Sequence, residues 1–187
     1  MTRQLKGFFL CIFLAAPPNV HAVEVNTLEI SREGKVYRVH SDTFLNAPRV
    51  QVQALLAQYD RIPRLDPDIS EVALLGVTAD GSTRMRLASR QCVLLICFRY
   101  RWVQDVSTTK IGDILARFVA GGGNLTQGWM RYRTLASGDG TRLIVLAQLA
   151  APDLPLPASL TGHFMRKKLL TEARETALLI ERAVLEK

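Results

Sequence analysis

Histidine and cysteine are scarce in this chain, with three of each among 187 residues. His21, His40 and His163 stand far apart, so no histidine-centred zinc site is spelled out, and none is expected. No G-x-S-x-G or H-E-x-x-H occurs, which removes the sequence signatures of two large hydrolase classes. The glycines of "AGGGN" (120–124) have no lysine after them and no helix start, so they read as a turn and not a phosphate loop. No Lys/Arg block and no aromatic-interleaved basic motif is present, which argues against a nucleic-acid partner. Catalytic candidates are correspondingly thin. Asp66 and Asp68 form a pair of acids, but Pro67 between them reads as a turn. Asp105, within an expected strand, is the one candidate for a general base. No cofactor is implied.

What the chain does have is a first segment built for export. In "MTRQLKGFFLCIFLAAPPNVHA", Arg3 and Lys6 precede an apolar run over 7–16. Val20-His21-Ala22 then supplies small residues where a signal peptidase cuts. The run is too short to span a bilayer, and Pro17-Pro18 would break a helix, so residues 1–22 are expected to be a secretory signal peptide. The alternative is an uncleaved anchor. The expected compartment is the bacterial periplasm. The expected mature domain, 23–187, is long enough for one sizeable core. Without Arg3 and Lys6 the 24 basic residues become 22 against 17 acidic ones. That excess suits an anionic membrane surface or plain solubility.

Cleavage would also remove Cys11, leaving Cys92 and Cys97. An even count in an exported chain invites a disulfide. In a straight strand five residues cover about 16 Å, whereas a bridge needs α-carbons within about 7 Å. A bridge therefore requires a hairpin with Val93, Leu94, Leu95 and Ile96 as its loop. "STRMRLAS" before it and "FRYRWVQDV" after it alternate apolar and polar residues as half-buried strands do. Against this, the VLLI tip has none of the usual turn residues, and a buried core strand is the rival reading. A small disulfide-closed loop is worth about 2 kcal/mol on the chain-entropy model. Four exposed aliphatic side chains would then need a reason to be there, since burying each is worth about 1.5–3 kcal/mol. With Arg90, Arg99 and Arg101 near its base, the tip suits peripheral contact with a lipid interface. It would otherwise fold back over a cavity of its own.

The remaining pattern is α+β. Strands are expected in "VEVNTLEIS" and "KVYRVHSDTFL" around a turn at Arg32-Glu33-Gly34, and on both sides of Asp80-Gly81. Further strands are expected in "GDILARFV", "NLTQGWMRYRTLA" and "TRLIVLAQLA", six or seven in all. A helix is expected after Asn46 as N-cap, with Pro48 in its first turn and Val52, Leu55, Leu56 and Tyr59 on one face. "RIPRLDPD" is expected to be a loop or a short helical turn. A long helix over about 158–185 carries the apolar stripe Met165, Leu169, Ala173, Ala177, Ile180 and Val184. Along "FRYRWVQ", Phe98, Tyr100, Trp102 and Gln104 share one face, and in "GWMRYRT" Met130 and Tyr132 do. These faces, with Phe164 and Met165 on the long helix, are the candidate walls of a ligand cavity. Asn124-Leu125-Thr126 matches a glycosylation acceptor.

"FLNAPRVQVQALLAQYDRIPRLDPDISEVALL" (44–75), "QDV" (104–106), "GDGTRL" (138–143) and "APDLPLPASLTGHFMRKKLLTEA" (151–173) resemble the START-like (SRPBCC) superfamily. The polyketide cyclase and coenzyme Q-binding branch is the nearest in flavour. The resemblance covers roughly 44–183. It implies a helix-grip fold, a curved antiparallel sheet wrapped around the long final helix with an apolar cavity between them. It also implies binding of a lipid, quinone or other hydrophobic small molecule. The expected function is an exported carrier or sensor of such a ligand. A cyclase-like enzyme using the same cavity, or a domain that binds another envelope protein, are the alternatives.

Overall fold

The computed structural model describes residues 23–93, 96–125, 127–150 and 158–186. The expected signal segment, the tip residues Leu94 and Leu95, and the side chains of Phe164 and Met165 lie outside the described residues. Eight strands form one antiparallel sheet: β1 (Glu24–Glu33), β2 (Val36–Leu45), β3 (Ile69–Val77), β4 (Thr83–Val93), β5 (Ile96–Thr108), β6 (Ile114–Phe118), β7 (Gly128–Ser137) and β8 (Gly140–Ala150). Their order across the sheet is β1-β2-β8-β7-β6-β5-β4-β3. Among the described residues this is one strand more than the upper bound of the expected six or seven. Strands β3 to β8 form a meander, and β8 closes against β2. Register shifts at Val25/Thr27, Ile69/Glu71 and Leu74/Gly76 interrupt the edge ladders. Such bulges bend a sheet and increase its twist.

Between β2 and β3 the chain must cross from one side of the sheet to the opposite edge. It does so through α1 (Arg49–Leu56), a 3-10 turn at Tyr59–Arg61 and the one-turn helix α2 (Ile62–Leu65). "RIPRLDPD" is therefore partly helical, as a proline near a helix start permits. Pro48, not Asn46, is the N-cap of α1, and no side chain caps it. Asn46 instead donates its backbone N–H to the Glu181 carboxylate on the long helix at 2.5 Å. That helix, α3 (Ala158–Leu185), lies on the concave face and packs against α1, α2, β1 and β2. Among the described residues no helix is long and apolar enough to cross a membrane.

Strand alternation sorts the two faces of the sheet. On the convex side, Arg84 makes two 2.7 Å bonds to Asp105. Buried Asp113 receives Arg131 and Arg133, and Arg142 pairs with Asp42. The Arg142 hydrogen bond holds the Asp42 carboxyl below the usual carboxylate range, against the upward pull of burial. Asp105 is thus a structural partner on the outer face, not a base in the interior. The glycine run folds its loop onto β5. A side chain at Gly123, which has φ near +154°, would place Cβ 2.0 Å from the Arg101 carbonyl oxygen. Asn124 completes this contact, accepting from Arg101 N–H at 2.7 Å and donating to the Arg99 carbonyl at 2.9 Å. Its amide is committed to the backbone of β5, which is how the acceptor-like sequence is used here.

The cysteine hairpin is real, but its loop is shorter than expected. Val93 pairs with Ile96, and Cys92 with Cys97, so only two residues lie between the strands. Val93 and Ile96 belong to the ladder and not to the loop, because cross-strand cysteines bring their α-carbons within bridging range without any wider turn. A Cys92–Cys97 disulfide joins the pair, with α-carbons 3.9 Å apart.

Candidate functional site: a cavity under the long helix

Two apolar clusters occupy the concave side. One joins Leu45, Val52, Leu55, Leu65 and Leu143 to Ala177, Ile180 and Val184 of α3. The other gathers Met85, Leu87, Trp102, Val106, Ile114, Ala116 and Leu125 from the middle strands. Between the sheet and the earlier turns of α3 the packing is incomplete. A cavity of about 330 Å³ opens there, and a lobe of about 160 Å³ adjoins it. Leu28, Ile30, Val39, Val145 and Leu149 line it from the β1-β2-β8 side, and Leu169 and Ala173 roof it.

Five of the eight residues nominated from the strand and helix pattern reach this space. Tyr100, Trp102, Met130 and Tyr132 line the main cavity, and Gln104 lines the adjoining lobe. Phe98 does not line the main cavity. It stacks beside Tyr100, ring centroids 6.5 Å apart, nearer the hairpin tip. Trp102 donates Nε1–H to the Gln104 side-chain oxygen at 2.9 Å and packs against Phe118. Gln104 in turn points its amide nitrogen at the Met85 sulfur, 3.6 Å away. Both polar handles on this wall are therefore spent within the protein, and what faces the cavity is ring and thioether. Tyr132 donates its hydroxyl to the Met130 sulfur at 3.8 Å, a weak acceptor. Burial, with Asp66 nearby, raises the Tyr132 hydroxyl well above its ordinary range, so it stays protonated.

A polar pole was not foreseen. Asp66 and Asp68, which read as turn residues, line the cavity together with Glu172. They do form a turn, with Asp66 Oδ1 accepting from Asp68 N–H at 3.0 Å. The crossing between β2 and β3 then swings this turn beneath α3. Lys168 donates to Asp68 at 2.8 Å and makes an ion-pair contact with Glu172, one helical turn on. Burial, then the hydrogen bond with Asp68, pushes the Glu172 carboxyl up to about 8. Asp68 moves the other way. Burial would raise it, but hydrogen bonds from Glu172 and Lys168 outweigh that and hold it low. Asp66 is raised, chiefly by burial. The pole therefore combines an ionised carboxylate, a protonated carboxyl and an ammonium beside a mostly apolar space. The legible signal was on the helix. Lys168, Glu172 and Thr176 recur every four residues, directly beside the apolar stripe Leu169, Ala173 and Ala177. No cluster of potential metal ligands occurs among the described residues.

The fold is that of the START-like proteins, a helix-grip arrangement of sheet and final helix. A START superfamily protein from Mycobacterium smegmatis superposes with a TM-score of 0.61 at 18% identity, over 80% of this chain and 97% of the other. A STAR-related lipid transfer protein from Xanthomonas axonopodis matches with 0.55 at 13% identity, over 82% and 98%. The Zhui aromatase/cyclase of a Streptomyces species matches with 0.54 at 18% identity, over 81% and 92%. No protein-family model matches the sequence, and no curated protein does.

Proposed function

We propose that the protein holds a hydrophobic small molecule in the cavity beneath α3 and serves as an exported binding or carrier protein. The observation that carries this reading is the cavity itself, about 330 Å³ of space walled mostly by aliphatic and aromatic side chains, with the carboxyl groups of Asp66, Asp68 and Glu172 together on one side and a few hydroxyls, such as those of Ser41 and Ser89, elsewhere on the wall. Ligand sites are built this way, apolar with a few placed polar groups. The fold, shared with a STAR-related lipid transfer protein, supports the same reading. Export is supported by the pattern of residues 1–22 and by the Cys92–Cys97 bridge, since disulfides persist in oxidising compartments. Native mass spectrometry of protein purified from such a compartment should detect a co-purifying apolar molecule. Trp102→Arg, which drives a charge into the lining, should abolish its retention and lower stability. A folded Trp102→Arg variant that keeps its ligand would refute the assignment of this wall.

Membrane delivery belongs to the same proposal. Arg90 and Arg99 are direct cross-strand neighbours, and both are exposed, as is Arg101. Like charges held opposite each other in a sheet repel, and an anionic surface would relieve that repulsion. The double change Leu94→Asp with Leu95→Asp should weaken co-sedimentation with anionic vesicles while leaving the melting temperature nearly unchanged. Unchanged sedimentation would remove the membrane role.

A second reading is favoured by one observation, the meeting of Asp66, Glu172 and Tyr132 at the cavity wall. A carboxyl protonated near neutrality beside a carboxylate is equipped for acid–base chemistry. In a cyclase-like enzyme, Glu172 would donate a proton and Asp66 accept one. Turnover of a polyketone substrate that is lost in Glu172→Gln, with binding retained, would favour this reading over the carrier.

A further inference from the structure

The ionisable groups that line the cavity are of one kind. Asp66, Asp68 and Glu172 are all acids, and no Arg, Lys or His is among the described lining residues. Among the described residues Lys168 is the one cation in contact with them, bonded to Asp68 and touching Glu172. One ammonium thus serves three carboxyl groups. Pairing Lys168 with Asp68 and leaving the Glu172 proton in place still leaves Asp66, which lines the cavity near the Tyr132 hydroxyl. The Asp66 carboxyl accepts from Asp68 N–H at 3.0 Å and interacts with the backbone N–H of Ile69. A carboxylate can accept several, so it retains acceptor capacity. Tyr132, on the facing strand, spends its hydroxyl on a thioether and can turn to a better partner.

We infer that this pole selects the bound molecule by its polar end: it takes hydrophobic ligands that present a hydrogen-bond donor without negative charge, an alkyl ammonium most strongly and an alcohol next, and it rejects carboxylate amphiphiles. This rests on the reading that the cavity holds a hydrophobic ligand. Asp66 supplies the acceptor, Tyr132 a second polar contact across the cavity, and Leu169, Ala173 and Val145 the apolar sleeve. An incoming carboxylate would instead meet Asp66 in a space where burial strengthens like-charge repulsion. The sign of the field, not the shape of the sleeve, makes the distinction.

Three probes of equal chain length test this: dodecylamine, dodecanol and dodecanoate, titrated calorimetrically below their aggregation limits near neutral pH. The amine and the alcohol should bind tighter than the carboxylate, the amine by at least about tenfold. Asp66→Asn, which keeps the turn acceptor but removes the charge, should erase the amine's lead over the alcohol. Equal affinities, a preference for dodecanoate, or an unchanged ranking in a folded Asp66→Asn variant would overturn the inference while leaving the carrier reading intact. Exclusion of all three probes would overturn both. Should Asp66→Asn not fold, the wild type decides. Between pH 6 and 9 Glu172 gives up its proton beside Asp66, Asp68 and Lys168, so the amine's lead over dodecanoate must widen. A flat or shrinking lead overturns the inference.

Discussion

One helix does two different jobs along its length. In the later turns of α3, Ile180 and Val184 are buried against Leu45, Val52 and Leu55, and only Ala177 and one side of Ile180 border the cavity and its lobe. In the earlier turns, Leu169, Glu172 and Ala173 face the cavity. The stripe has the same four-residue rhythm throughout, so periodicity does not distinguish the halves. The difference lies in what stands opposite. The packed half meets α1, whose Val52 and Leu55 fill the space. The hollow half meets only the sheet and the Asp66–Asp68 turn. A helix that grips a sheet thus stays anchored by one end while the other end roofs a void.

That contrast can be broken from either side. The largest effect is expected from Ile180→Ala, which opens a hole in a fully buried cluster. Chemical denaturation should show a loss of about 2–5 kcal/mol. A loss under about 1 kcal/mol would mean that the later turns are not the anchor.

A smaller effect is expected from pH. Glu172 has its carboxyl raised from 4.5 to about 8 in the folded protein. Above 4.5 the unfolded chain gives up this proton while the folded chain keeps it, so the contribution is complete below 4.5 and fades as pH rises through 8. The melting temperature should fall by several degrees between pH 5 and 8, and Glu172→Gln should flatten that slope. An equal slope in the variant would place the titration elsewhere.

The smallest effect is expected from Leu169→Ala, on the hollow half. Its side chain already borders empty space, so truncation forfeits fewer contacts, less than about 1.5 kcal/mol. Ligand retention should change more than stability does. A loss matching that of Ile180→Ala would show that the two halves are equally packed.

Much of this architecture is visible in the residues. Alternation in "FRYRWVQ" and "GWMRYRT" separated arginine from aromatic faces because a strand has only two sides. The Asp80-Gly81 turn, and the limits of α3, follow from local turn and helix signals. The cysteine pair located a hairpin, although not that its strands run on to Val93 and Ile96, since aliphatic residues at a tip carry no register mark. The acidic pole was not legible in the same way. Asp66-Pro67-Asp68 has the local chemistry of a turn and does form one. Its meeting with Lys168, a hundred residues later, depends on the crossing between β2 and β3, and no local pattern encodes where a crossover lands. Asp105, a candidate base only by being a carboxylate in a strand, follows inward-facing Gln104 and so faces outward, and its partner Arg84 is known only from the pairing of β4 with β5.

The placement of α3 after all eight strands has a consequence for biogenesis. Every strand can find its neighbours before the helix arrives, yet the concave face they build is apolar and bare until it does. The contacts that seat the helix are very distant in sequence, with Asn46 bonded to Glu181 and Asp68 to Lys168. Such closures come late, because a long loop must be ordered before it is rewarded. A nascent chain therefore passes through a stage in which an open apolar trough is exposed. Under the carrier function proposed above, loading at that stage, before the roof is on, would enclose a cargo too snug to enter the finished protein.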